Sequence, residues 1–299
     1  MGSSAKQEHL SIRREQTATY LTFLLPGFVI YCVFLIFPIL MGIYYSFMDW
    51  NGISSDYNFI GFENYQKLFT DRRFISALLF NLRYTVMLVI GIVVLGVILA
   101  LLLNQQFKGR TFFRTLYFMP AVLSMITVSL VFKQIFFYVV PDIGEMLGIE
   151  ALETNILASR DLAIYGLLFV HLWQGLALPT LLFLAGLQTI PSELYEAAAI
   201  DGANAWQQFK SITVAYLIPT LSVVLVLVVK QGLMVFDYVN AMTGGGPGTT
   251  TQSIALLIYN NGFERNRYSY SITQAIATGV LIAAVSFVQI QLSNRKKVE

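Results

Sequence analysis

Apolar residues run along this chain in long unbroken stretches rather than in the short, one-faced runs of a soluble domain. A helix needs about 20 such residues to cross about 30 Å of hydrocarbon with its backbone groups paired internally. Six stretches qualify: Tyr20 to Phe47, Tyr84 to Leu103, Thr115 to Val140, Leu162 to Leu187, Ile212 to Phe236 and Ser271 to Leu292. The pattern predicts an all-α integral membrane protein of about six transmembrane helices. Pro26, Pro38, Pro179 and Pro219 lie inside the stretches and predict kinks that neighbouring helices must compensate. The first stretch is too long for a signal-peptide core and is read as a retained anchor, and Lys6 stands where a myristoylation pattern needs Ser or Thr.

Composition agrees: 56% of residues are hydrophobic and 12% charged, where a soluble domain is nearer a quarter charged. The solvent for which the chain is built is the lipid bilayer. A net charge of +2 gives no broad cationic field, so no nucleic-acid partner is expected. The single cysteine, Cys32, sits in an apolar run and is read as a small buried hydrophobe. Without internal repeats or linkers, the chain divides into a tail (1–19), a first helix with its outer loop (20–80), a helical core (81–292) and a second tail (293–299).

An even number of spans puts both termini on one side. With the termini inside, Lys6, Arg13, Arg14, Lys108, Arg110, Arg114, Lys210, Arg295, Lys296 and Lys297 are cytoplasmic, against Lys67, Arg72, Arg73, Arg160, Arg265 and Arg267 outside. Counting Arg83, Lys133 and Lys230 as outer narrows that margin. Density favours the same orientation, because three basic residues crowd the short connection from Asn104 to Arg114 and three more end the chain.

Between the fourth and fifth stretches lies a polar, amphipathic segment, 188–211. Pro191 and Ser192 suit a helix start, with Glu193 and Glu196 complementing the dipole; Gly202 ends that helix, and Asn204 caps another whose Trp206 and Phe209 share a face. Ala197, Ala198 and Ala199 leave the first helix almost without bulk, so a partner's groove could approach it, with Leu194 and Tyr195 as anchoring area. Composition alone is equally consistent with a helical hairpin packed beneath its own bundle.

Glu196-Ala197-Ala198, with Gly202 four residues on and Ile212 ten further, resembles the cytoplasmic EAA loop of bacterial ATP-binding-cassette importer permeases. Where that family usually closes the motif with a proline-containing element, this chain has Val214 and Ala215, a change in local rigidity. Phe113-Arg-Thr-Leu-Tyr-Phe-Met-Pro120, Trp173-Gln-Gly, Leu184-Ala-Gly-Leu-Gln-Thr-Ile-Pro191 and Phe236-Asp-Tyr-Val-Asn-Ala-Met-Thr-Gly-Gly-Gly-Pro247 resemble its carbohydrate-uptake, maltose-type branch. The resemblance implies a permease core with a cytoplasmic helix-Gly-helix coupling loop, in which Glu196, Ala197, Ala198, Asp201 and Gly202 couple to the ATPase. It also implies the partners: a second, unlike permease subunit, two ATP-binding-cassette ATPase subunits carrying ATP and Mg, and an extracytoplasmic solute-binding protein. Glycerol phosphates and other polar solutes fall within the same kinship.

No G-x-x-x-x-G-K-[ST] motif occurs, and Gly244-Gly245-Gly246-Pro247 has no lysine to make it a phosphate cradle; it reads as a turn, or by resemblance as an outer loop near the binding protein. Only His9 and His171 are present, without a Cys or carboxylate cluster, so neither a metal nor a cofactor held by this chain is expected; His171 reads as a bond to a neighbouring helix. Gln134, Trp173, Gln174, Gln231 and Asp237 are the candidates for a substrate path, Lys133 and Lys230 being read as snorkelling. Amides and an indole face suit a neutral polyol, although bonding between helices satisfies the same residues. An ion-coupled transporter or channel subunit is the alternative, and a membrane enzyme a third; the spans offer few ionisable groups for the one and no catalytic constellation for the other.

Overall fold

The structure, a computed structural model, describes residues 20 and 22–295. The tail 1–19, with Lys6, His9, Arg13 and Arg14, and the last four residues, with Lys296 and Lys297, lie outside the described residues. Among those described, five helices are long and apolar enough to span a membrane and one further span is a bent pair.

The first span is α1 (Thr22–Ser46), whose Cys32–Ile36 turn is π-helical just before Pro38. A proline removes one backbone donor, and the wider turn shifts the pairing register where that donor is missing. After a two-stranded antiparallel pair, β1 (Met48–Asp49) and β2 (Asn58–Phe59), comes a short helix, α2 (Glu63–Thr70).

The second span is longer than its apolar stretch. Helix α3 (Arg72–Asn104) begins twelve residues before Tyr84, because the Asp71 side chain accepts from the backbone N–H groups of Arg73 (2.9 Å) and Phe74 (3.4 Å) and caps it there. Its 33 residues extend about 50 Å, so its ends project beyond the hydrocarbon.

The predicted third span, Thr115 to Val140, is interrupted. Helix α4 (Arg110–Val122) ends at an extended Leu123, and α5 (Met125–Leu147) starts afresh, running past Val140 through a second π turn, Ile135–Val139, that precedes Pro141.

The fourth span is α6 (Ala163–Gly175) and α7 (Ala177–Leu187), bent by 48° at Leu176. Pro179 cannot donate to the Gly175 carbonyl one turn earlier, which puts the predicted kink there.

The coupling segment forms α8 (Ser192–Ile200) and α9 (Ala205–Gln208), and a third π turn, Phe209–Thr213, feeds the fifth span, α10 (Val214–Leu233). Pro219 sits within that helix. Helices α11 (Asp237–Met242) and α12 (Ile254–Tyr259) precede the last span, α13 (Tyr268–Arg295).

The chain forms two compact units. In the described part of the first (residues up to 66 with 261–276), Asn64 donates from Nδ2 to the carbonyls of Ser46 and Met48, both at 3.0 Å, and the Ser46 hydroxyl bonds that of Tyr65 at 2.8 Å. Here the end of α1 is tied to the chain that folds back over it.

The second unit (67–260 with residues from 277) is built around α3, whose Tyr84, Leu88 and Ile92 are fully buried together with Leu167, Val170, Phe183, Val224 and Val228. Lipid gives no hydrophobic force between helices, so close approach and hydrogen bonds hold them. At Gly232 a Cβ would stand 2.6 Å from the Thr85 hydroxyl and 2.9 Å from its Cα, so only glycine lets α10 reach α3. Fully buried Asn81 adds a polar clamp: Nδ2 donates to the carbonyls of Gly232 (3.1 Å) and Leu233 (2.8 Å), and Oδ1 accepts from the N–H of Ile254 (2.9 Å). One side chain thus ends α10 and starts α12.

Replacing Asn81 by Leu strands those three backbone groups and lowers stability by about 2 kcal/mol, read as an earlier thermal unfolding midpoint in detergent. Gly232→Ala lowers the same midpoint, whereas Gly279→Ala, where an added Cβ meets nothing within 4 Å, leaves it unchanged or raises it; equal midpoints for the two alanine variants would contradict the close-packing account.

Candidate functional site

Three regions, all within the second unit, carry the residues singled out by the sequence except Gln134 and Trp173. The first is the elbow after the fourth span. Helix α8 stops where Gly202 takes φ +82°, and the N–H groups of Gly202 and Ala203 return to the carbonyls of Ala199 (3.1 Å) and Ala198 (2.9 Å). An added Cβ at Gly202 meets nothing within 4 Å, so its left-handed backbone, not crowding, demands glycine. Asn204 and Gln207 then form a reciprocal capping box, with bonds of 3.0 and 2.8 Å, that starts α9 as expected. Trp206 and Phe209 share a face and stack at 5.5 Å.

Glu196, Ala197, Asp201 and Gly202 are exposed and Ala198 is half-buried. Tyr195, expected to be anchoring area, is half-buried, and its hydroxyl bonds that of Thr213 at 2.8 Å, bracing α8 against the base of the fifth span. The bare apolar area comes instead from Ile200 (86% exposed) and Trp206 (69%), with Leu194 at 37%. Ile200 is the last residue of α8, two before Gly202, an apolar residue at a polar helix end that the sequence also shows.

The second region is a cavity of about 500 Å³. It is walled by the break between α4 and α5 (Leu123, Met125), by His171 and Gln174 of α6, and by Lys230, Gln231, Asp237 and Tyr238 around the junction of α10 and α11. Gln174 holds this wall together: Nε2 donates to the Leu123 carbonyl at 2.8 Å, and Oε1 accepts from the Tyr238 hydroxyl at 2.9 Å. The Tyr238 ring stacks on His171 at 4.5 Å, and Nδ1 of His171 shares a 2.9 Å hydrogen bond with the Tyr84 hydroxyl of α3. His171 therefore does bond a neighbouring helix, and it also lines the cavity.

Of the path candidates, Gln174, Gln231 and Asp237 are brought together here and Gln134 and Trp173 are not. Consecutive helical residues point about 100° apart, so Trp173 turns away from Gln174 and packs on Phe132 at 5.2 Å. Exposed Gln134 lies nine residues beyond Met125, about 13 Å along α5. Lys230, read as a snorkelling residue, lines the cavity, and Tyr238 was missed, although a tyrosine beside an aspartate at a span end signals a polar wall. The lining offers amides, a phenol and an imidazole, with one cationic and one anionic side chain.

The third region follows α11. Gly244 (φ +59°) is exposed, whereas Gly245 (φ +88°) is buried, its would-be Cβ 3.2 Å from Leu256. The Gly246-Pro247 peptide is cis, and the Thr251 hydroxyl donates to the Gly246 carbonyl at 2.5 Å. Gly245, Gly246 and Pro247 are thus held in a packed turn, with Gly244, Gly248, Thr249 and Thr250 at its surface. Among the described residues, no three His, Cys, Asp or Glu side chains are grouped to hold a metal ion.

Residues 92–298 match the family described as binding-protein-dependent transport system inner membrane component. The multiple sugar-binding transport system permease protein MsmF of Streptococcus mutans serotype c is 47% identical over 277 residues, covering 93% of this chain and 96% of that protein. The trehalose/maltose transport system permease protein MalF of Thermococcus litoralis is 32% identical over 280 residues, with coverage of 93% and 94%. Among solved structures, a chain of a bacterial ABC transporter involved in the import of the acidic polysaccharide alginate superposes with a TM-score of 0.83 at 24% identity, over 96% of this chain and 99% of that one, a likeness of fold. On the family match and the 47% identity over nearly the whole length, the chain belongs to the family of binding-protein-dependent transport system inner membrane components.

Proposed function

We propose that this chain is the permease subunit of an importer that moves a carbohydrate into the cytoplasm, driven by ATP hydrolysis on separate subunits. One observation carries the reading. From Ala205 through the π turn to Leu233 a single helical rod joins the elbow to the cavity, with Trp206 at one end and Lys230 and Gln231 at the other. Over these residues it spans about 40 Å, longer than the hydrocarbon is thick. Force applied to the elbow reaches the cavity wall through packed backbone, and Tyr195 stiffens the joint.

In this reading both termini and the elbow are cytoplasmic, and Glu196, Ala197, Ala198, Asp201 and Gly202 seat in a cleft of an ATP-binding-cassette ATPase. Two such subunits bind the ATP and Mg, and this chain holds no cofactor. A second, unlike permease subunit completes the path, because six helices do not readily enclose a sugar-sized channel. An extracytoplasmic binding protein delivers the solute near Gly244 and its exposed neighbours. The relatives named for multiple sugars and for trehalose/maltose support a carbohydrate cargo, and so does a cavity with hydrogen-bonding amides and a single charge of each sign.

Gly202→Pro forces φ near −65° where +82° is needed, and Glu196→Lys reverses a charge on the exposed face of α8. Each lowers uptake of labelled sugar at least about tenfold while the purified complex keeps its ATPase subunits; normal uptake by both would remove the coupling role. In the cavity, Gln231→Ala weakens uptake several-fold and Gln134→Ala leaves it unchanged, measured with a panel of labelled oligosaccharides; the reverse order would move the path elsewhere. Uptake that survives ATP depletion and collapses with an uncoupler would instead mark an ion-coupled transporter.

A further inference from the structure

We propose that the loop from Phe47 to Phe62, in the first unit, is an interfacial anchor that inserts Ile53, Phe59 and Phe62 into the headgroup and acyl boundary of the leaflet where α1 ends. Three observations tie it to the ends of two spans. The pair Met48↔Phe59 and Asp49↔Asn58, with the Ile60 N–H donating to the Phe47 carbonyl at 2.9 Å, doubles the chain back immediately after α1. The carbonyl that ends α1, that of Ser46, accepts from Asn64 (3.0 Å) and from the hydroxyl of Thr273 (3.3 Å) in the second turn of α13. The Trp50 carbonyl accepts from the N–H of Ser269 at 3.0 Å, and an added Cβ at Gly52 would sit 3.0 Å from the Tyr268 ring. The loop is thus bound to the last residue of one apolar span and to the first two turns of another.

Its chemistry suits the membrane interface. Tyr45, Trp50, Tyr57 and Tyr268 form one aromatic cluster, with Tyr45 stacked on Trp50 at 4.4 Å, and Trp and Tyr concentrate at the membrane interface. In the same loop Ile53, Phe59 and Phe62 are 78%, 73% and 66% exposed, Phe62 packing edge-on against Phe47 at 5.2 Å. The same loop carries Asp49 and Asp56 and no basic residue, so apolar insertion and not attraction to anionic lipid is what holds it.

The test uses the full-length chain in its transporter complex, reconstituted into phosphatidylcholine vesicles. In a Cys32→Ser background, Ile53→Cys and Phe59→Cys are each labelled with an environment-sensitive fluorophore, and retained uptake shows that the unlabelled variants fold. Lipids brominated near the headgroup end of the acyl chain quench both labels more than lipids brominated near the chain terminus, reporting a depth of about 5–10 Å. Aqueous iodide quenches little, and raising the salt concentration does not alter the pattern. Full quenching by iodide without quenching by bromolipid places the loop in water and overturns the proposal. Protection from both quenchers shows that another protein covers it, and overturns it equally.

Discussion

Inside a bilayer an unpaired backbone carbonyl has no water to turn to, so a helix can be interrupted only where another group takes over its bonds. In this chain that group is repeatedly a carboxamide. Asn64 receives the end of the first span, Asn81 the end of the fifth and the start of α12, and Gln174 the break in the third. An amide suits the task because it donates and accepts from one planar head, and it carries no charge to desolvate. At these three places the interrupted backbone is bonded by a side chain in place of its own helix.

The same constraint separates stiff parts from yielding ones. Helix α3, capped by Asp71 and clamped by Asn81, forms the centre of the larger unit and is almost wholly regular. Around it, the third and fourth spans are broken or bent, and both contribute to the cavity wall. The fifth is regular as far as Leu233 and then gives way to three non-helical residues, Met234 to Phe236, before α11. Cavity and elbow therefore lie at opposite ends of one stiff element, with the interruptions gathered at the cavity.

How much could be read from the residues follows from the range of the interactions involved. The six spans were legible because hydrophobicity over 20 residues needs no knowledge of neighbours, and the elbow because Pro191, Gly202 and Asn204 act on their own backbone. The Arg72 start of α3 was also local, in the Asp71 cap, but lay in a polar stretch that hydropathy passes over. The Asn51-Gly52 dipeptide signals the doubled-back loop, where the Asn51 side chain accepts from the N–H groups of Ile53 and Ser54. The break at Leu123 has local signs in Pro120 and in Ser124 at the next helix start, but the amide that bonds it lies 51 residues away on another helix. Nor does adjacency in sequence tell which of Trp173 and Gln174 faces the cavity; helix rotation decides that.

The Gln174 side chain has both ends engaged before any cargo arrives, with Leu123 on one side and Tyr238 on the other. A carboxamide nitrogen carries two N–H groups and its oxygen two lone pairs, so these two bonds use half of what the head group can make. Loss of that one head group would unfasten Leu123 and Tyr238 together, so its first consequence falls on the wall itself and not on whatever the cavity admits.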